Sequence, residues 1–329
     1  MAALLLLFRF SDAAGYKPEY KLSVVVGPNG PWGESAVRFA DLVRERTNGR
    51  VRIKVYFSGK VFQGRQTNEF QILRKGGADF ALGSTINWSS PVKELNLFSL
   101  PFLFPSHQAL DAVENGEPGK RLFKIMEEQG VVALSWGENG FRDLTNAKHP
   151  IRKPEDLKGL KIRVVGSPIF VDTFKALGAD PVSINWSEAL PAFRKGTVDG
   201  QENPIDSVVI PYKLWEYHQY ITVWKYAIDP LVLGVNKNIW MTFDPQDREI
   251  LWEAAREAMV WNKKESRKGQ KGGTGSIGLL KQKGMEVVTL IPEETTAFKT
   301  RTRTVYDKWA REIGADLVQA AEKIIQSSQ

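Results

Sequence analysis

The chain has 329 residues, 45 Lys and Arg against 38 Asp and Glu, a net charge of +7, three His and no Cys. Disulfide frameworks, thiolate nucleophiles, cysteine-ligated zinc and iron–sulfur clusters are excluded, and His107, His149 and His218 lie too far apart in sequence to suggest a metal site. Basic residues alternate with acids, as in Arg44-Glu45-Arg46, so the excess reads as solvated surface rather than a nucleic-acid footprint.

Residues 1–15 carry a leucine run followed by small and polar residues, the pattern of a partial signal segment, although Arg9 interrupts it. No later stretch approaches the roughly 20 apolar residues that span a bilayer, and the expectation is a soluble, exported protein. Residues 22–26 form a short apolar run, as in a strand buried on both faces. Over 34–47, Ala36, Phe39, Ala40 and Val43 make a helical stripe closed by Asn48-Gly49. Val51, Ile53, Val55 and Phe57 alternate as a second strand. A helix over 68–75 and a strand over 78–82 repeat the unit, which predicts parallel α/β architecture.

Ser106 caps a helical region reaching 129, and a strand over 131–136 follows. A second α/β set predicts strands over 160–165 and 181–185 and helices over 169–177 and 187–195, so two cores of comparable size are expected. Strand-like runs over 221–228 and 231–236 are separated by Asp229-Pro230, read as a sharp break between domains. One long helix is predicted from 245 to about 268, a late strand over 285–290, and a helical region from Pro292 to about 326.

Gly273-Thr274-Gly275-Ser276-Ile277-Gly278 matches a dinucleotide fingerprint formally, but a charged helical end precedes it instead of a strand. It reads as a flexible helix break, and no cofactor is expected. The acidic pairs Glu138 with Asp143 and Asp199 with Glu202 read as salt bridges, caps and turns rather than catalytic acids and bases, and elbows, zincin motifs and Walker loops are missing. Arg163, inside the apolar strand pattern Leu160-Lys161-Ile162-Arg163-Val164-Val165, is the most informative residue. A buried guanidinium needs a partner, open α/β sheets bind ligands at the carboxyl ends of their strands, and a planar fork suits a carboxylate. An internal salt bridge accounts for it equally well on these grounds. Arg142 in Gly140-Phe141-Arg142-Asp143 and Asn203 in Gly200-Gln201-Glu202-Asn203-Pro204 stand out beside it.

Together these runs, with Lys153-Pro-Glu-Asp-Leu-Lys-Gly159, Phe174-Lys-Ala-Leu-Gly-Ala-Asp-Pro-Val182, Gly76-Gly-Ala-Asp-Phe-Ala-Leu-Gly-Ser84, Leu100-Pro-Phe-Leu-Phe104 and Gly234-Val-Asn-Lys-Asn-Ile-Trp240, resemble the extracytoplasmic solute receptors of TRAP transporters, the DctP family. The resemblance covers nearly the whole chain. It implies an α/β, two-domain, periplasmic-binding-protein-like fold with crossing strands and a long bracing helix. The domains would comprise residues 16–140 with about 229–268, and 141–228 with about 269–329. It also implies a periplasmic, monomeric receptor, not an enzyme, that closes on a small carboxylate (a hydroxy or oxo acid, a sugar acid or an aromatic acid) and delivers it to the TRAP membrane permease. Arg163 would clamp the carboxylate, assisted by Arg142 and Asn203, and Trp186 would pack on the ligand. Asn29 or Trp32 would serve from the first loop, and Trp88, with Asn87, would form the opposite wall; core packing is the alternative for Trp88. A dicarboxylate would need a second cation, for which Arg142 and Arg65 are candidates. A signalling receptor of the same fold and an organic-acid lyase or hydrolase are the competing readings.

Overall fold

The computed structural model describes residues 15–270 and 275–328, so the expected signal segment lies outside the described residues apart from Gly15. Among them, nine strands form one mixed sheet: β1 (Tyr20–Val24), β2 (Ile53–Tyr56), β3 (Phe80–Ser84), β4 (Val131–Asn146), β5 (Lys161–Val164), β6 (Asp180–Ser183), β7 (Gly200–Pro204), β8 (Tyr220–Asn236) and β9 (Glu286–Thr289). The spatial order is β2-β1-β3-β8-β4-β7-β5-β6, with β9 on β8. Parallel sets stand at both ends, β2-β1-β3 and β7-β5-β6. The long antiparallel pair β8 and β4 runs between them and belongs to both.

The strands differ from the expectation in several places, and β4 runs on from the predicted 131–136 to Asn146. The break at Asp229-Pro230 does not occur: β8 runs through it without interruption. Proline lacks the ladder N–H and is tolerated in sheets at bulges, and Pro230 lies at one, where Glu138 and Gly140 of β4 oppose Pro230 and Asp229 with Asn139 as the extra residue. Strand β7 was not expected, because Gly-Gln-Glu-Asn-Pro has no apolar pattern; all five residues are nevertheless buried.

The helix Pro245–Ser266 starts at Asp244, whose side chain accepts from the Asp247 N–H. It buries Leu251, Ala254, Ala255 and Ala258 and leaves Trp252 55% exposed. The brace lies close on β4 at Gly137, where a Cβ would meet Met259 Sδ at 2.7 Å and Asn262 Oδ1 at 2.8 Å. Asn262 then ties it down, accepting from the Glu138 N–H at 2.6 Å and donating to the Pro31 carbonyl at 3.1 Å. The helix ends at Ser266 and a new one opens at Ser276, so the chain does break across the glycine-rich stretch, part of which, including Gly273, lies outside the described residues.

Three apolar clusters replace the two expected cores. One packs the helices Pro31–Arg46 and Pro245–Ser266 on the β1-β3 end, and one lies under the helix Trp186–Lys195. The largest runs from Phe70 and Trp88 through Phe98 to Ile162 and Phe170, joining both halves of the sheet. The C-terminal region is also two helices, Pro292–Ile313 and Ala315–Ser327. Among the described residues no helix is long and apolar enough to cross a membrane.

Candidate functional site

The carboxyl ends of β1, β3, β5 and β7 converge on one narrow cavity between the two halves of the sheet. Val25, Val26 and Trp32 line it from the first loop, Ser84 and Asn87 follow β3, and Arg163, Val165, Trp186 and Asn203 come from the other half. Asn139, Arg142 and Asp229 reach it from the crossing strands. A larger cavity lies at Phe141, Lys225, Asp206 and Ile277, with the carboxyl groups of Asp143 and Asp206 and the ammonium of Lys225 on its wall and no guanidinium fork among the described residues.

Arg163 is 1% exposed. Its Nε donates to the Ile184 carbonyl at 2.9 Å, and its Nη2 is buried with no hydrogen-bond partner. Among the described residues no acid forms a salt bridge with it. Burial pushes its pKa down to about 10, partly opposed by the charge of Glu202 and reinforced by that of Arg142. The guanidinium carbon lies 5.7 Å from the centre of the Trp186 ring, which itself meets Tyr212 edge-on at 4.9 Å. The cavity wall thus carries a desolvated cation backed by an indole, with one N–H group unpaired.

Arg142 is placed differently from the expectation. Its Nε and Nη2 are bonded to the two carboxylate oxygens of Glu202, and Nη1 to Asp229 Oδ2 at 3.0 Å. Nη2 also donates to the Glu202 carbonyl at 2.8 Å and to Asn203 Oδ1 at 3.0 Å. Burial acts to lower its pKa, but Glu202 and Asp229 hold it above the ordinary arginine value. Asp229 is raised by burial against the pull of Arg142. Arg142 therefore lines the cavity with its charge already paired. Asn203 lines it too, its Oδ1 taken by Arg142 and its Nδ2 by Gln201.

Trp32 and Asn87 lie on the wall, each with a fixed polar atom: Trp32 Nε1 donates to the Leu82 carbonyl at 2.9 Å, and Asn87 Oδ1 accepts from Gln66 Nε2 at 2.8 Å. Three expected candidates do not reach the cavity. Asn29 and Arg65 are exposed on the surface. Trp88 is fully buried, its Nε1 donating to Glu69 Oε2 at 3.1 Å, and it lies flat on the sheet because Gly83 has no Cβ; one there would stand 2.2 Å from the indole. The acidic pairs have structural partners as well. Glu138 bonds Arg267, Asp143 accepts from the N–H groups of Trp224 and Lys225, and Asp199 accepts from the Lys161 N–H. His218 is buried against Thr145 Oγ1, which lowers its pKa to about 4.

Sequence reasoning missed Gln66, Ser84, Asn139 and Asp229. Gln66 is the informative omission. Its Nε2 holds Asn87 on one half while its Oε1 accepts from the Trp186 N–H on the other at 2.6 Å. Further bonds cross the same gap, from the Gly27 N–H to Tyr212 Oη at 2.8 Å and between the hydroxyls of Ser89 and Ser167 at 3.2 Å. Gln66 lies outside the strands and helices that periodicity marks, and Ser84, Asn139 and Asp229 are isolated polar residues in strands read by their apolar neighbours, so no periodic signal singled them out.

The chain matches the family described as bacterial extracellular solute-binding protein, family 7 (DctP), over residues 22–312. A TRAP periplasmic solute-binding protein of Ralstonia eutropha, solved with (S)-2-acetolactate bound, is 50% identical, with a TM-score of 0.93 over 95% of this chain and all of that one. A Polaromonas relative solved with D-erythronate is 28% identical, with a TM-score of 0.86 over 93% and 98% of the two chains. The C4-dicarboxylate-binding periplasmic protein DctP of Rhodobacter capsulatus is 30% identical over 308 residues, 92% of this chain and 89% of its own. With that match and the two-ended sheet joined by crossing strands, the chain belongs to the DctP family of TRAP-transporter solute-binding proteins.

Proposed function

We propose that the protein is an exported receptor that captures a small organic acid between its two domains and delivers it to a TRAP membrane permease. The domains are taken as residues 16–140 with about 229–268, and 141–228 with about 269–329. The observation that carries the reading is the buried guanidinium of Arg163 at the cavity, whose Nη2 has no hydrogen-bond partner and which no acid pairs among the described residues. In a folded protein such a group is costly unless an anion completes it, and a carboxylate matches the planar fork. Relatives bearing acetolactate and erythronate support an organic acid. The ligand would touch both halves and so favour the closed arrangement over an open one by its differential affinity.

The test is calorimetric titration of the dialysed protein with a panel of organic acids. One acid class is expected to bind, and Arg163→Ala to weaken it by about 3 kcal/mol, on the order of a hundredfold in Kd. Arg163→Lys is expected to rescue little of the loss, since an ammonium offers no bidentate geometry. Wild-type affinity in either variant would remove Arg163 from the recognition site.

A further inference from the structure

The surroundings of Arg163 restrict which acid fits. Two arginines reach the cavity, but the guanidinium of Arg142 is enclosed by both carboxylate oxygens of Glu202 and by Asp229. Both carboxylates are engaged by Arg142, so the guanidinium with an unpaired N–H group at the cavity is that of Arg163. A ligand carrying one carboxylate takes that fork. A second carboxylate would enter a narrow space whose wall, among the described residues, holds no cation besides these two arginines and does hold Asp229. Burial of an unpaired charge is strongly unfavourable.

A second orphan atom specifies a neutral group. Asn139 is the extra residue in the β4 bulge, a device that re-aims side chains beside binding sites. Its backbone carbonyl is held by Ser207 Oγ at 2.6 Å, and its Nδ2 donates to Asp229 Oδ2 at 2.7 Å. Asp229 Oδ2 also accepts from Arg142, so it requires a donor from Asn139 and fixes which way the amide points. Asn139 Oδ1 is consequently left buried without a partner on a residue of the cavity wall. It is an acceptor, and it needs a hydrogen-bond donor from the ligand.

We infer that the cleft selects monocarboxylates bearing a hydroxyl group, with the carboxylate on Arg163 and the hydroxyl donating to Asn139 Oδ1, and that it rejects dicarboxylates. This rests on the Arg163 reading above and adds the selectivity to it. Family membership alone does not supply the distinction, since a relative named for C4-dicarboxylates and one holding a hydroxy monocarboxylate are both similar to this chain.

The experiment titrates the full chain with 2-hydroxyisobutyrate and (S)-2-acetolactate, with isobutyrate as the skeleton lacking the hydroxyl, and with succinate and malate. The hydroxy monocarboxylates are expected to bind about tenfold or more tighter than isobutyrate and than either dicarboxylate. Asn139→Ala should bring the hydroxy and deoxy acids to within about threefold of each other, because the acceptor that discriminates them is gone. Glu202→Gln, which releases charge on Arg142, should narrow the gap between malate and the hydroxy monocarboxylates; should that variant fail to fold, the wild-type comparison decides alone. Tight succinate or malate binding that still depends on Arg163 would overturn the selectivity and leave the receptor reading intact, as would a hydroxyl preference that survives Asn139→Ala for the assignment of that residue. Binding of no panel acid, or binding that survives Arg163→Ala, would overturn both.

Discussion

Two arginines reach the cavity, and their three-dimensional pairing separates them: Arg142 is engaged by Glu202 and Asp229, whereas Arg163 bonds the Ile184 carbonyl. Arg163 was legible because a guanidinium within an apolar strand demands a partner, and its neighbours along the chain offer none. Arg142 was equally visible, but Glu202 and Asp229 lie 60 and 87 residues away on other strands, a distance no local pattern bridges. Trp88 and Trp32 were indistinguishable for the same reason. The position of Trp88 depends on a buried acid, Glu69, which accepts from Trp88 Nε1 and from Ser23 Oγ at 2.8 Å. Burial raises its pKa to about 8, with those two bonds acting in the opposite direction. A folded-state value above the ordinary carboxyl value means the unfolded chain releases this proton first. The contribution of Glu69 to stability is therefore complete below about pH 4.5 and lost as the pH rises through about 8. Glu69→Gln keeps the shape and one donor and one acceptor, so chemical denaturation at a series of pH values should show a shallower loss between pH 5 and 8 than wild type. An identical slope would mean that Glu69 does not titrate in this range.

Among the elements, those with periodic burial were readable and those built on polar residues were not. The helix Pro245–Ser266 follows its apolar spacing and its Asp244 cap, whereas β7 was invisible because its buried residues are the polar ones that surround Arg142. Asp229-Pro230 misled for a related reason: proline normally ends a strand, and only the bulge at Asn139 in the facing strand accommodates it. The contact between brace and crossing strand is as exacting. Gly137→Ala would place a methyl 2.7 Å from Met259 Sδ and 2.8 Å from Asn262 Oδ1, and so push on the side chain that anchors the helix to Glu138 and Pro31. The expected cost is about 1–3 kcal/mol of unfolding free energy, read as a lower denaturation midpoint. A midpoint within error of wild type would show that the helix moves aside without loss.

At the scale of the whole molecule, the sheet is continuous through β4 and β8, so the two ends are joined by unbroken strands, and a few polar bonds cross the gap beside the cavity. The Gly27 N–H donating to Tyr212 Oη is one of these, and neither residue lines the cavity. In an open arrangement water satisfies that N–H; on closure it needs the phenol oxygen. Tyr212→Phe preserves the edge-on packing against Trp186 but leaves the donor unpaired only in the closed form, a penalty of about 1 kcal/mol. If ligand capture and closure are one event, affinity should fall about fivefold for every acid that binds, with the ranking of acids unchanged, because the lost bond touches none of them. Stopped-flow titration should place most of that change in the dissociation rate, since the bond forms after encounter. An unaltered Kd would mean that the ligand binds without bringing Gly27 and Tyr212 together, and a reordered ranking of acids would mean that Tyr212 acts on the ligand through Trp186 rather than on closure.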